Sequence, residues 1–517
     1  MKLLKAVAML FLSLSLIVGC STSNSGGNAT KENTSTNNTS TNTGEAPASE
    51  PAKNEKKIPI TIATQYWSGG KWTDDHATIK YLNEKFNVDI KLQLINGPEY
   101  NEKFKVMAAS GDLPDIYRSS GAEFLNWSSE GAFADLSGVW AKYPNLNKAF
   151  PLDSEAMKLL NPEGKLYGIP SISWIARDTV QIRKDWLDNL GISLPTEDEF
   201  TVDKLYEIAK AFATQDPDQN GVNGDTIGMN MNPLVRNAFG IASDWMEKDG
   251  KLIPRHTQVE EYKAYLAFLK KAYDEKVLDQ DFVLRKGNEV LEMQKGNKIG
   301  LYHYHNAYHV LQEDIKKANP SLNPELVPMA PPVGPTGVRG STAEKTGTLK
   351  VVINAKADDE KIDRILQIFD WWVTDEGSSI MKNGIEGVDY TKNADGTYQV
   401  TEQWENNQPR YLNSNLFKRP GTDFIVYLWS SQEEIDRHNA YEELAKKYVW
   451  KDPAFGFTFY SEAYKDKWAT LDVKFEEAVV RIIVGNQPIE YIEQASKEWL
   501  AGGGEQIIKE INEAAKK

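Results

Sequence analysis

The sequence predicts an α/β protein with two lobes, and two observations carry that prediction. The first is the order of elements after residue 56, strand, helix, strand, helix, strand, which is typical of a largely parallel sheet with helices on its faces. The second is length, because the part of this 517-residue chain that follows residue 55 exceeds what one hydrophobic core usually supports. Ligand sites in such sheets form outside the carboxyl ends of the strands.

The first sheet is predicted from short stretches of alternating hydrophobicity. Ile58–Thr64 alternates as a strand, Asp75–Phe86 has helical spacing, and Val88–Leu94 alternates as a second strand. A helical stretch around Tyr100–Ser110 then leads through a Gly-Asp-Leu-Pro turn to a short strand, Asp115–Arg118. These elements give the β-α-β-α-β order from which the parallel sheet is inferred.

The remainder of the chain continues to alternate between strand-like and helix-like segments. We predict a hairpin at Gly164–Pro170, strands at Val180–Arg183, Lys298–Tyr302 and Leu349–Ile353, and helices at Phe200–Thr214, Glu260–Lys276 and Leu471–Lys517. Four tryptophans stand at helical spacing among apolar neighbours and are therefore expected in the core: Trp186, Trp371, Trp372 and Trp499.

The amino terminus reads as an export signal. Lys2 and Lys5 precede an apolar run, Ala6–Val18, which is too short for a comfortable membrane span. Its end, Leu16–Cys20, resembles the lipobox of bacterial lipoproteins, in which the cysteine is diacylated and becomes the first residue of the mature protein. We expect residues 1–20 to be this signal, with Cys20 lipidated; a plain secretory signal with an incidental cysteine is the alternative.

Residues 21–55 consist mainly of Ser, Thr, Asn, Gly and charged residues, so we expect a disordered tether between the anchor and the folded body. The net charge of −15 argues against nucleic acid as a partner and against a basic membrane-binding face. Because Cys20 is the only cysteine of the chain, the body contains no disulfide. Its stability must come from core packing.

Several motifs spread through the body resemble the family 1 extracellular solute-binding proteins, and among them the long lipoproteins that serve oligosaccharide importers in Gram-positive bacteria. Besides the lipobox and tether, the matching segments are Ala109–Ile116, Gly164–Pro170, Ile182–Ile192 and Gly502–Ala514. The resemblance implies a periplasmic-binding-protein-like fold, with two α/β lobes that close about a hinge on a ligand. It also implies a monomer that works with the permease subunits of an ABC transporter, held at the extracellular face of the cell membrane by its lipid.

In such folds the chain passes between the lobes more than once. We therefore predict that lobe 1 comprises residues 56–172 and 326–382, and that lobe 2 comprises residues 173–325 and 383–517.

A loop that follows the predicted helix Phe200–Thr214 resembles a calcium loop. Calcium takes several oxygen ligands, and EF-hand-type loops supply them from positions 1, 3, 5 and 7 with Gly at position 6. This spacing is met by Asp216, Asp218, Asn220, Gly221 and the carbonyl of Val222. Position 12, usually Glu, is Ile227, for which Asp225 is the expected substitute. A structural Ca²⁺ is predicted here, and a metal-free turn rich in Asp and Asn is the alternative.

A sugar presents flat apolar faces and a rim of hydroxyls, so its site needs aromatic rings and side chains that both donate and accept hydrogen bonds. Segments that follow predicted strands, or that lie near a predicted crossing between lobes, offer such groups. The ligand-binding residues predicted on this basis are Trp67, Ser119, Ser120, Trp174, Arg177, Tyr302, His303 and Trp429. For each aromatic residue, packing in the core or at its rim is the alternative.

Three other functions remain open at this stage. A secreted polysaccharide-degrading enzyme would need two carboxylates facing one bond, and no local motif singles out such a pair. A zinc-uptake protein is suggested by His303, His305 and His309, although no further ligand is tied to them by sequence. An importer for peptides or another polar solute is the nearest alternative, because one fold serves unrelated ligands. We expect binding without catalysis.

Overall fold

The structure, a computed structural model, describes residues 56–66, 74–154, 157–158, 161, 164–171, 178–285, 287–342, 349–407, 410–422 and 425–516. The expected signal, lipidation site and tether (residues 1–55) lie outside these ranges. No helix in the described ranges is both long and apolar enough to cross a membrane.

The strands are β1 Ile58–Tyr66, β2 Val88–Asn96, β3 Ile116–Ser120, β4 Ile169–Pro170, β5 Thr179–Arg183, β6 Ile227–Met229, β7 Trp245–Lys248, β8 Lys251–Pro254, β9 Ile299–Tyr304, β10 Leu326–Met329, β11 Ser341–Thr342, β12 Leu349–Ile353, β13 Tyr390–Lys392, β14 Tyr398–Val400 and β15 Val449–Trp450.

The α-helices are α1 Ala77–Lys85, α2 Tyr100–Ser110, α3 Gly121–Ser129, α4 Pro144–Ala149, α5 Lys184–Asn189, α6 Val202–Thr214, α7 Pro233–Ala238, α8 Val259–Asp274, α9 Gly287–Lys295, α10 Tyr308–Ala318, α11 Asp359–Trp372, α12 Asp375–Asn383, α13 Glu402–Asn407, α14 Arg410–Asn415, α15 Gln432–Lys447, α16 Glu462–Ile483, α17 Tyr491–Trp499 and α18 Glu505–Ala514.

The first lobe is built on a five-stranded sheet with the order β2-β1-β3-β12-β4. β1 runs parallel to both β2 and β3, as the β-α-β-α-β pattern predicts, while β12 is antiparallel to β3 and to β4. The prediction of a hairpin at Gly164–Pro170 is wrong, because Ile169 and Pro170 pair with β12, far away in sequence. Apolar clusters cover both faces of this sheet and fix its register.

The second lobe contains a four-stranded sheet with the order β10-β5-β9-β6. β5 is antiparallel to β9 and to β10, and β6 is parallel to β9. Its main core includes Trp186 and Trp499, which are 0% and 2% exposed, while Trp371 and Trp372 are buried in the first lobe. The prediction that these four tryptophans are structural is confirmed.

Two stretches pack differently from the predicted division into lobes. Residues 326–329 form β10 and pair with β5, so the chain leaves the second sheet only after Met329. Leu412, Leu416 and Phe417 lie in the core of the first lobe, although they follow residue 382. The first lobe therefore also includes residues that the predicted boundary assigns to the second.

Candidate functional site

A pocket lies at the edge of the first sheet where β1 and β3 end. Because these strands are parallel, their carboxyl ends share one edge, which is where ligand sites of open α/β sheets form. The pocket encloses about 340 Å³ including its open mouth. The residues that line it are Gln65, Tyr100, Asn101, Phe104, Arg118, Ser119, Ser120, Glu123, Trp127 and Leu349.

Arg118 is the buried cation of this pocket, with 6% of its surface exposed. Its guanidinium donates a hydrogen bond to Oε1 of Gln65, at the end of β1, and lies 5.9 Å from the ring centroid of Tyr100. The backbone N–H of Arg118 donates to the Tyr100 hydroxyl at 3.2 Å. Burial raises the pKa of Tyr100, so this hydroxyl stays protonated at neutral pH. These contacts hold the guanidinium at the carboxyl edge of the sheet.

Ser119 and Ser120 end β3 and lead directly into α3. The Oγ of Ser119 is buried and makes no hydrogen bond within the described part of the chain. Ser120 is the N-cap residue of α3, and its side chain makes no capping hydrogen bond there. Both predicted serines therefore line one pocket.

The aromatic side of the pocket comes from two helices. Phe104 and Tyr100 of α2 stack with ring centroids 4.5 Å apart, and Trp127 of α3 lies nearby as a half-buried ring. Glu123, also on α3, is 3.8 Å from Lys105 of α2, so this ion pair bridges the two helices at the rim. Rings beside amide, hydroxyl and guanidinium groups form a mixed apolar and polar wall, which suits a ligand with both kinds of surface.

Three of the predicted ligand-binding residues, Trp67, Trp174 and Arg177, lie outside the described residues. Trp67 follows β1 directly in sequence, one residue after Tyr66 and two after Gln65 of the pocket. Trp174 and Arg177 fall in the segment between β4 and β5, where the chain passes from the first sheet to the second. Their assignment stays a prediction.

The residues predicted on β9 lie in the second lobe. Tyr302 is fully buried, pairs with Gln181 of β5, and packs in an apolar cluster with Leu311 and Tyr441. Its ring therefore occupies the core, which was the alternative to ligand stacking. His303, the next residue, pairs with Val180 and is half-buried.

Trp429 belongs to an aromatic cluster away from the described pocket. It stacks on Tyr427 with centroids 5.1 Å apart and planes 8° apart, and meets Trp404 edge-on at 5.4 Å. Tyr390 of β13 lies 5.9 Å from the Trp429 ring. Trp429 is half-buried, so part of its ring remains accessible to a ligand.

The predicted calcium loop is closed by its own polar side chains. The Asp216 carboxylate accepts the backbone N–H groups of Asn220 at 3.0 Å and Gly221 at 2.9 Å. The Asn220 amide donates to Oδ2 of Asp218 at 3.2 Å and of Asp225 at 2.8 Å. Burial, and then the negative charge of Asp225, raise the pKa of Asp218. The loop thus draws acidic side chains together.

This loop fits a cation in one respect and falls short in another. Oδ1 of Asp218 is buried without a hydrogen bond among the described residues, which leaves an oxygen for a metal. In the same described set, no group of three or more His, Cys, Asp or Glu side chains could hold a metal ion by itself. A bound Ca²⁺ would therefore also need the amide oxygen of Asn220 and the carbonyl of Val222.

The histidines that suggest a zinc site do not form one with other ligands in the described residues. His305 stacks on Tyr304 with centroids 4.3 Å apart, and its Nδ1 accepts the backbone N–H of Ala307 at 3.2 Å. Burial, followed by the positive charge of Arg437, lowers the pKa of His309 to about 4. These side chains are engaged in local packing on the second lobe.

Several lining residues were missed by the sequence analysis. Arg118 stands inside the predicted strand that leads to Ser119, and Gln65 precedes Trp67, so the strand-end rule could have found both. Tyr100, Asn101 and Trp127 come from helices, where only the three-dimensional packing shows which face turns to the pocket. Their sequence carried no signal of this role.

Comparison with known proteins agrees with this architecture. Residues 69–378 match the family described as bacterial extracellular solute-binding protein. The polygalacturonan/rhamnogalacturonan-binding protein YtcQ of Bacillus subtilis (strain 168) is 28% identical over 85% of this chain and 88% of its own length. Lipoprotein LipO of the same organism is 27% identical over 88% of this chain and 92% of its own length.

Among solved structures, the alginate-binding protein AlgQ2, solved without calcium ion, superposes with a TM-score of 0.67 at 20% identity. The match covers 90% of this chain and 99% of AlgQ2, so it extends through both lobes and shows a shared fold. The two sheet-containing lobes, the pocket at the carboxyl ends of β1 and β3, and the family match together identify this chain as a member of the bacterial extracellular solute-binding proteins.

Proposed function

We propose that this protein captures an oligosaccharide outside the cell and delivers it to an ABC importer. The observation that carries the proposal is the pocket at the end of β1 and β3, where aromatic rings stand beside hydroxyl, amide and guanidinium groups. A sugar ring needs both kinds of surface, since its C–H faces pack on aromatic rings and its hydroxyls donate and accept hydrogen bonds. The relative YtcQ is named a polygalacturonan/rhamnogalacturonan-binding protein, which supports the same class of ligand.

The residues that lie outside the described ranges fit this proposal by position. Trp67 follows the strand that brings Gln65 to the pocket, so we assign it to ring stacking. Trp174 and Arg177 lie between the two sheets along the chain and would contact a ligand held between the lobes. His303 and Trp429 are assigned to more distant parts of a long oligosaccharide.

Delivery requires the protein to signal that it is loaded. A ligand that contacts both lobes favours the arrangement in which both contacts form, so binding shifts the population toward a closed state. We propose that the permease subunits of the importer recognise this closed state. The protein would act as a monomer, held at the extracellular face of the membrane by lipid on Cys20, and would catalyse no reaction on its ligand.

Calcium is proposed as a structural ion of the second lobe. The side chains of Asp216, Asp218, Asn220 and Asp225, with the carbonyl of Val222, would hold it. A divalent cation would neutralise the carboxylates that the loop brings together and would tie the end of α6 to the following strand. Its proposed role is stability of the lobe, because the loop contributes no residue to the described pocket.

The function is tested by a thermal-shift screen of the purified protein against neutral and acidic oligosaccharides, zinc and short peptides. A ligand that binds only the native state raises the unfolding midpoint by mass action. We expect a rise with a class of oligosaccharide and no product when the mixture is analysed by chromatography. A rise only with peptides or zinc would replace the proposal with another importer function, and turnover of the sugar would replace it with an enzyme.

A further inference from the structure

Trp450 differs from the other tryptophans in the described part of the chain. It is half-buried, yet it belongs to none of the apolar clusters that the described residues form, and it meets no other aromatic ring among them. Every other tryptophan that the structure describes packs in one of these clusters or against another ring. The indole of Trp450 therefore contributes little to the core of either lobe.

The ring of Trp450 lies on the main chain at Gly340. A Cβ atom added to Gly340 would lie 2.2 Å from Cε2, 2.4 Å from Nε1 and 2.5 Å from Cδ2 of the indole, so it would stand over the face of the five-membered ring. Thr342, two residues after Gly340, is the partner of Trp450 in the two-stranded sheet of β11 and β15. Only glycine at position 340 leaves room for the indole, whose other face is the accessible one.

Hydroxyl and amide groups stand beside this ring. Nδ2 of Asn237 donates to the carbonyl oxygen of Gly340 at 3.2 Å and to Oγ1 of Thr342 at 3.0 Å. Oγ1 of Thr342 also shares a hydrogen bond with Oγ of Ser243. An aromatic face beside hydroxyl groups matches a sugar ring, which has apolar C–H faces and a rim of hydroxyls.

β11 and β15 lie where the chain passes between the lobes. β11 follows β10 of the second sheet and precedes β12 of the first sheet. β15 precedes a short 3₁₀ helix, Phe457–Tyr460, in which Phe457 packs against the main core of the second lobe and Phe459 against an apolar cluster of the first lobe. A ligand that contacts Trp450 is therefore held at the junction of the lobes.

We propose that Trp450 is a stacking platform for one pyranose ring of the oligosaccharide, and that Gly340 positions the indole for this contact. The inference rests on the proposed carbohydrate function. It adds a second contact region to that function, because Trp450 does not line the pocket at the end of β1 and β3. A sugar ring bound at the junction would help to favour the closed arrangement of the lobes, since it is held where both lobes meet.

Isothermal titration calorimetry of the purified protein tests the platform. The probes are three trisaccharides built of pyranose rings, namely trigalacturonate, galactotriose and maltotriose, and the variants are titrated with the probe that the unmodified protein binds most tightly. Trp450→Ala should weaken its binding about 10-fold, because it removes the aromatic face. Trp450→Phe should stay within about 3-fold of the unmodified protein, since it keeps an aromatic face. Trp450→Leu, which fills space without a ring, should lose as much affinity as Trp450→Ala.

Two controls accompany these variants. Tyr460→Ala should leave the affinity unchanged, because Tyr460 is an exposed ring in the connection that follows β15. Thermal unfolding of each variant checks that the fold is retained. If Trp450→Ala does not fold, the comparison of Trp450→Phe with Trp450→Leu decides the question.

The positioning role of Gly340 has its own test. Gly340→Ala should displace the indole and weaken binding about as much as Trp450→Ala. The double variant Gly340→Ala/Trp450→Ala should bind about as weakly as either single variant, since both changes act through one ring. Gly138→Ala is the matched control, because a Cβ atom at Gly138 would meet no atom within 4 Å. Losses that multiply in the double variant would overturn the positioning role.

The outcomes separate this inference from the function on which it rests. Full affinity in Trp450→Ala overturns the platform but leaves oligosaccharide binding standing. Equal affinities of the Phe and Leu variants show that Trp450 only fills space, and they overturn the stacking contact. Binding of none of the three trisaccharides overturns the pyranose platform. Absence of a response to every oligosaccharide in the thermal-shift screen overturns the proposed function as well.

Discussion

Trp499 lies flat against the imidazole of His256, with ring centroids 4.3 Å apart and planes 6° apart. His256 is fully buried in the second lobe, where its Nε2 lies 2.8 Å from Oδ1 of Asp472. The same carboxylate pairs with Arg255, and the ring of Phe475 meets His256 edge-on. The contact joins the chain before α8 to α16 and α17, so it ties the carboxyl-terminal helices to the rest of the lobe.

This site predicts a dependence of stability on pH. Burial, the largest cause, lowers the pKa of His256 in the folded protein below the value of 6.5 of the unfolded chain. The unfolded chain therefore binds the extra proton as pH falls below 6.5, and the free energy of unfolding decreases there. At pH 7.5 the His256→Gln variant should be less stable than the parent protein. Its free energy of unfolding should fall less steeply as pH decreases, by up to ~1.4 kcal/mol per pH unit. Urea unfolding of both proteins at pH 5.0 to 7.5 measures this pH dependence. An equal dependence in the parent and the variant contradicts the prediction.

Lys350 is a second buried group whose charge opposes folding. It is 2% exposed on β12, with Nζ 3.4 Å from the ring centroid of Phe124 and 5.0 Å from that of Phe459. Desolvation lowers its pKa well below 10.5, so the folded protein binds fewer protons than the unfolded chain in this range. The charged amine opposes folding less as it loses its proton, so the free energy of unfolding should rise as pH rises from 7 toward 9.

Replacement of Lys350 tests this effect directly. Lys350→Met keeps the apolar stem and removes the amine, so we expect the free energy of unfolding at pH 7 to increase by about 1–2 kcal/mol. The rise between pH 7 and 9 should shrink in the same variant. Lys356→Met is the control, because the Lys356 amine lies near the surface and donates to the Gly111 carbonyl at 2.8 Å. A Lys350→Met protein that is less stable than the parent at pH 7 would refute the idea.

The calcium loop predicts a stability effect that depends on one carboxylate. Ca²⁺ should raise the Tm of the parent protein relative to a chelated sample, because a ligand of the native state stabilises it. Asp218→Asn should abolish most of this rise. Asp395→Asn is the matched control, since Asp395 also closes a turn, by accepting from Thr397, but stands in the β13–β14 connection. Equal Tm values with Ca²⁺ and chelator in the parent would favour the metal-free turn.

The stacking assignments predict loss of affinity without loss of fold. Trp67→Ala and Trp174→Ala should each weaken binding of the identified oligosaccharide about 10-fold, because each removes an aromatic platform worth ~1 kcal/mol or more. Tyr460→Ala is the control, because Tyr460 is 57% exposed and does not line the described pocket. Calorimetry measures the affinity, and circular dichroism checks that the fold is retained. Full affinity in both tryptophan variants would show that Trp67 and Trp174 do not contact the ligand.

The sequence predicts the first sheet and part of its pocket for a clear physical reason. A strand can be recognised from the alternation of apolar and polar residues along it. Ligand sites form at the carboxyl ends of such strands, so Ser119 and Ser120 can be assigned to the site without knowledge of their neighbours. The same reasoning could not predict whether Tyr302 lies in the core or in the ligand site. β9 is buried on both faces over its first four residues, so no alternation distinguishes the two. The antiparallel direction of β12 depends on where the chain passes between lobes, and nothing in Leu349–Ile353 encodes it.

The position of β12 in the first sheet determines when that sheet can be completed during synthesis. β12 lies between β3 and β4, yet both of those strands leave the ribosome long before residues 349–353 do. Until then β4 has no strand to pair with, and one edge of β3 is open. The first lobe is therefore completed late, after all four strands of the second sheet have been translated. A nascent chain of this kind stays incomplete for longer than one whose lobes follow each other in sequence, which lengthens the time during which chaperones can hold it unfolded.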